Sequence, residues 1–198
     1  MKTLVITLLI ACSCIAASAQ DADKVKELEL RLQKLEERMS KMENRQQTPE
    51  AKKMRKIARE HEDVERKNFK SGDIAKAEEL YQKASKILPT SGSEAKKLLD
   101  SVVTTYPLLN RAGCAQLYRA QQDTAQEKER LLKDCIARFS TCYYLDGTQV
   151  GPLATFELAL YYSETGRAHD ARKLFKRLRD ESPEAVGHDG ELLVDKIK

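Results

Sequence analysis

The stretch PLATFELALYYSETGRAHDARKLFKRLRDESP, from Pro152 to Pro183, decides the fold. Leu158, Ala159 and Tyr162 recur at helical spacing in its first half, and Ala171, Phe175 and Leu178 in its second. Gly166 stands between the halves, where a reversal needs a permissive backbone, and Pro183 closes the second. The pattern predicts a helical hairpin in which small residues let two backbones approach and large ones fill the seam. Part of it occurs twice. Gly72, Ala77, Tyr81, Ala84 and Pro89 keep the gaps of five, four, three and five residues that separate Gly166, Ala171, Phe175, Leu178 and Pro183.

That internal repeat resembles the tetratricopeptide repeat, whose hairpins bury their apolar faces only by stacking on one another. The resemblance implies an all-α chain with a tetratricopeptide-like α-solenoid over residues 71–198. Upstream of the quoted stretch, residues 111–122 and 125–139 form a further predicted hairpin. Ala115 and Tyr118 echo Ala159 and Tyr162, while Leu132 and Cys135 echo Phe175 and Leu178. Lys128 and Asp123 depart from the pattern there. Ser140 to Gly151 reads as an insertion between hairpins. Ser91 and Glu94 predict a capping box for a helix over residues 94–105. Only eighteen residues separate Pro89 from Pro107, so the pairing of helices between Glu50 and Thr105 stays open. Glu191 to Ile197 reads as a short capping helix.

The N-terminal residues carry different patterns. Lys2, the apolar run Thr3 to Ala11 and Ala17-Ser18-Ala19 predict a signal peptide over residues 1–19. Leu9-Ile10-Ala11-Cys12 also has the form of a lipobox, which would place a lipid on Cys12. Either route takes the mature chain out of the cytoplasm. In residues 20–47, Val25, Leu28, Leu32, Leu35, Met39 and Met42 alternate three and four apart, the seam of a parallel coiled coil. Arg31 and Arg38 flank the seam five residues before Glu36 and Glu43, a register that pairs neighbouring chains. Arg31-Leu32-Gln33-Lys34-Leu35-Glu36 has the order seen in three-stranded coils, so the expected homo-oligomer is a trimer ahead of a dimer. Residues 48–70 read as a charged helix linking coil to repeats.

Composition excludes some classes. Charged residues make up 33% and aromatics 6%, and the net charge of +4 is spread among both signs. That balance carries neither a nucleic-acid footprint nor a polybasic membrane patch, so membrane attachment is expected only through a lipid on Cys12. The sequence contains no phosphate-binding glycine loop, nucleophile elbow or zinc-protease signature, and predicts no catalytic residue, cofactor or metal. His61, His169 and His188 read as solvated surface residues. Of the cysteines beyond the signal peptide, Cys114 and Cys135 fall on facing sides of one hairpin. They could bridge in an oxidising compartment or serve as small core hydrophobes. Tyr143 and Tyr144, beside the Asp146-Gly147 turn signal, form either a lid over the hairpins or a loop that meets a partner.

A signal peptide, a short parallel coil and tetratricopeptide-like helices, in that order, resemble the periplasmic Tol-Pal system protein family, also called the cell division coordinator family. Gly166 to Pro183 followed by Glu191 to Ile197 matches the C-terminal layout of that family, with Ser182 replacing a tyrosine. The low-complexity linker after the coil is missing. The resemblance implies a periplasmic, non-catalytic adaptor that binds other envelope proteins during constriction at cell division. An alternative with the same fold is an outer-membrane lipoprotein scaffold for envelope protein assembly, anchored at Cys12. In repeats of this type the first helices line a concave surface. Gln116, Arg119, Phe156, Leu160 and Ser163 would then form the partner groove, unless Phe156 and Leu160 extend the core instead.

Overall fold

Local chemistry begins the first long helix firmly. The Thr48 hydroxyl accepts the Ala51 N–H at 3.1 Å, Pro49 needs no helical donor in the first turn, and Glu50 meets the helix dipole there. Arg66 and Lys67 complement the other end, and Phe69 turns extended. The computed structural model describes residues 24–35, 48–123 and 125–197. Among them the chain is all-α. In order, the helices are α1 (24–35), α2 (Pro49–Asn68), α3 (Ser71–Ile87) and α4 (Gly92–Thr105). They continue as α5 (Asn110–Gln122), α6 (Ala125–Arg138), α7 (Val150–Glu164) and α8 (Ala168–Glu181), with a 3-10 turn at Val194–Lys196.

The chain divides into two units, at Glu43 and Asn44. In the first, α1 presents Val25, Leu28, Leu32 and Leu35 on an exposed face, and Arg31 pairs with Glu27 at 2.6 Å on the same helix. Met39, Met42 and residues 1–19, where a signal peptide is expected, lie outside the described residues.

In the second unit, α3 to α8 pack each against its sequence neighbours, and α3, α5 and α7 also touch one another in a row. The last member of that row, α7, is buried on nearly every side, from Val150 through Phe156 to Tyr162, which is why its sequence is apolar all round. By contrast α8 buries only Ala171 and Leu178 and turns its charges outward. The core runs through Leu99, Val102, Leu117, Leu131, Leu132 and Leu178, all essentially inaccessible. Removing one such leucine side chain would cost about 2–5 kcal/mol. Polar contacts stitch neighbouring helices. Lys96 meets Asp123 at 3.1 Å, Gln121 meets Glu157 at 2.7 Å, and the Tyr162 hydroxyl donates to Glu129 at 2.8 Å.

Four expectations change. Gly72 is no turn residue but lies in the first turn of α3, and α3 pairs with α4 as the first helix of a hairpin. Its resemblance to α8 holds for burial, since Ala77 and Ala84 are buried like Ala171 and Leu178, yet the two helices play different parts. Ser91 does not cap α4 with its side chain. Glu191 to Ile197 forms only the 3-10 turn after an extended bridge from Val186 to Leu192. Finally, α2 is docked rather than a bare link: Ala51, Met54 and Ala58, spaced three and four apart, are buried against the repeat unit.

Candidate functional site

After α6 and again after α8 the chain makes the same small structure, here called a clasp. In the first, Tyr143 and Gln149 form an antiparallel bridge, the Tyr144 N–H donates to the Thr148 carbonyl, and the Val150 N–H donates to that of Cys142. In the second, Val186 bridges Leu192, Gly187 donates to Glu191, and Leu193 donates to Ala185. At each tip an aspartate precedes a glycine of positive φ, +96° at Gly147 and +79° at Gly190. Each aspartate accepts the N–H two residues on: Thr148 to Asp146 at 2.9 Å, and Glu191 to Asp189 at 3.2 Å. The asparagine-like reach of a short carboxylate and the freedom of glycine together fix this turn. Every equivalent pair is 43 residues apart, including both ends of α6 and α8. The segment from Ser140 to Gly151 is therefore part of a longer repeat and no insertion.

The clasps interlock. The ring of His188 at the tip of the second lies 2.7 Å from the Asp146 carboxylate and meets Tyr144 edge-on at 4.6 Å. Burial opposes ionisation of Asp146, but His188 and the Thr148 N–H hold its carboxyl below the usual range. Asp189 is held low in the same way, burial being outweighed by Lys196 at 2.6 Å. Each clasp aspartate thus meets a cation-forming side chain supplied from further along the chain.

Helix α2 crosses the clasp row. The Thr48 hydroxyl donates to the Gly190 carbonyl at 3.3 Å, and Lys53 pairs with Glu184 at 2.6 Å. One heptad on, a Cβ placed on Gly147 would lie 2.7 Å from the Arg55 nitrogen, so helix and clasp touch backbone to backbone. The His61 ring lies tilted against that of Tyr143, with centroids 5.5 Å apart. Seven helical residues rise about 10 Å, the spacing of packed helix layers. α2 therefore advances one heptad per clasp. A second heptad reaches Glu62, and there the row has a gap. The link from α4 to α5 is only Tyr106 to Leu109, four residues against eleven between α6 and α7. In place of a clasp stands an open groove of about 530 Å³, lined by Glu62, Arg66, Ile74, Ala75, Arg111 and Leu145. Leu145, at the tip of the first clasp where the second has His188, is 56% exposed.

The expected site residues are dispersed. Gln116 is buried, and its amide donates to Asp134 at 2.6 Å. Arg119 is bound to Asp100 of the neighbouring helix. Phe156 is buried and packs on Phe175, with ring centroids 6.1 Å apart. Only Leu160 and Ser163 are exposed, and the Ser163 hydroxyl donates back to the Ala159 carbonyl. These five do not form a groove, because three of them are consumed in holding adjacent helices together.

Cys114 and Cys135 are buried, free thiols, so of the two readings it is the small core hydrophobe and not the bridge that the structure holds. Burial pushes both thiols well up, and that of Cys114 donates to the Tyr143 carbonyl at 3.4 Å. The partly buried Cys142 is pushed up to about 11 by burial. Protonated, enclosed thiols are poor nucleophiles. Tyr144 packs back onto the hairpins as a lid, while Tyr143 lies against His61 of α2. The Tyr144 hydroxyl donates to the Cys114 carbonyl at 3.0 Å, and a side chain at Gly113 would collide with Cys142. His61 corrects the sequence reading, being partly buried beside Tyr143, whereas His169 and His188 are exposed as expected, His188 also contacting the first clasp.

Sequence reasoning missed the clasps, although Asp146-Gly147 and Asp189-Gly190 are a legible pair of turn signals at one offset. Among the described residues no group of three or more His, Cys, Asp or Glu side chains could hold a metal ion. No helix there is long and apolar enough to cross a membrane. No family model, curated protein or solved structure matches the chain.

Proposed function

We propose that this protein is an exported adaptor, without catalysis, that holds other envelope proteins on its helical repeats and multiplies its sites through an N-terminal coil. The observation that carries the reading is the row of hairpins, the last two of them each followed by a clasp, which builds a long edge from short-range contacts. The exposed seam Val25, Leu28, Leu32 and Leu35 on α1 supports the coil. In this reading Met39 and Met42 extend it, and a trimer is favoured over a dimer. The Tol-Pal-like order of segments supports a periplasmic place and a role in envelope constriction, with tetratricopeptide-like stacking as the architecture. A lipid on Cys12 would convert the same adaptor into an outer-membrane scaffold.

Cross-linking mass spectrometry in intact cells tests the adaptor. Cross-links from residues 71–198 to other envelope proteins are expected, and cross-links confined to copies of the chain itself would overturn it. Mass spectrometry of the mature N-terminus separates the two locations, because one form begins at Gln20 and the other at an acylated Cys12.

A further inference from the structure

We infer that the groove between α2, α3 and the tip of the first clasp is a binding site for a tight backbone turn of a partner protein, one that carries an apolar side chain at its tip. The inference rests on the adaptor reading above and gives it a docking place. Its first support is continuity with an interface already built. α2 covers the second clasp at Thr48 and the first at Met54 and Arg55, and a heptad later it covers the groove at Glu62. The row thus offers its third rung while the α4–α5 link is too short to fill it. A foreign turn seated there would meet the same helix stripe and the same clasp edge that the chain's own clasps meet.

The chemistry of the guest follows from what differs at that rung. Between the two clasps, the neighbour's tip residue is His188 and it faces the Asp146 carboxylate. At the open rung the tip residue is Leu145, which cannot pair with a carboxylate. The charged groups around it are already matched: Arg66 pairs with Glu62 at 2.6 Å, and Arg111 pairs with Glu78 while covering the Tyr81 ring at 4.7 Å. What stays open is the apolar surface of Leu145, Ile74 and Ala75. An acidic tip would be desolvated there without a partner, whereas an apolar one buries surface. The guest is therefore a clasp-shaped turn with its aspartate replaced by an aliphatic residue.

The test uses a fluorescent, backbone-cyclised peptide with the sequence of residues 142–150, carrying Cys142→Ser and Asp146→Leu, titrated with the full chain. A saturable rise in anisotropy is expected, with binding at least tenfold weaker for the peptide that keeps the aspartate. Ala75→Trp fills the groove from an exposed helix position, and Leu145→Asp charges its wall. Each should weaken the apolar peptide at least tenfold with unchanged circular dichroism, while Leu160→Asp, outside the groove, leaves binding intact. Absence of saturable binding, or binding indifferent to both groove variants, overturns the site. Its loss leaves the adaptor standing if residues 71–198 still cross-link to envelope proteins.

Discussion

Gly147 and Gly166 both sit at positive φ, +96° and +78°, but their surroundings differ. Open space surrounds Gly166, whereas a Cβ on Gly147 would strike the backbone of α2 at Arg55 and Met54. Gly166→Ala should therefore cost about 1 kcal/mol, the strain of a left-handed alanine. Gly147→Ala should cost roughly 3 kcal/mol, because the helix must also move. Chemical denaturation of the two variants checks the order, and equal losses would mean that α2 is not seated on the clasp. Glu129 supplies a second residue-scale prediction. It accepts from Lys133 at 2.7 Å, from the Tyr162 hydroxyl, and from Arg167, which also lies over the Tyr162 ring. Those donors, Lys133 first, depress its carboxyl from the ordinary 4.5 to about 2. A depressed folded value stabilises fully above the unfolded one, and the stabilisation is lost as pH falls through the folded one. Between about pH 4.5 and pH 2 the parent should lose melting temperature faster than Glu129→Gln, and the two profiles should run parallel above pH 6.

The helices themselves were largely legible from apolar spacing, because residues such as Leu158, Ala159, Ala171 and Leu178 have one side to bury and helical periodicity shows which. The role of each helix was not. The gap pattern from Gly72 to Pro89 copies that from Gly166 to Pro183, yet the first belongs to the opening helix of a hairpin, since local spacing records a buried stripe and not the neighbour that buries it. The groove expectation failed for a related reason. Phe156 and Gln116 are chemically suited to a partner, and only the packing of α6 and α8 reveals that they already have one. α2 was hidden by its charge. Just three small or flexible residues, Ala51, Met54 and Ala58, are buried, and most of the other positions are charged and advertise solvent. Ala58→Arg should undock it. Native-state hydrogen exchange would then show fast exchange over residues 52–68 while α5 to α8 keep their protection, as expected for a separately opening element. Uniform loss of protection would show instead that α2 and the hairpins fold as one cooperative block.

At the scale of the whole molecule, the packing within the chain is joined by the proposed assembly between chains. Placing Asp at both Leu32 and Leu35 should bury unpaired charge in the coil seam and leave a monomer, read by sedimentation equilibrium, whose repeat unit keeps its helical signal. Persistence of the parent mass would remove the coil from the assembly. Within the chain, the match between one heptad of α2 and one clasp has a mechanical meaning. Hairpins joined only edge to edge behave as a coil spring, with each interface free to twist a little against the next. A straight rod clipped to successive coils removes that freedom. Thr48 on the Gly190 carbonyl and Arg55 against Gly147 fix two such points. Stretching or bending this edge must break both together instead of one at a time. The rod is also a gauge: a chain with one more hairpin and clasp would need one more heptad of α2, so such a protein lengthens in two places of its sequence or in neither.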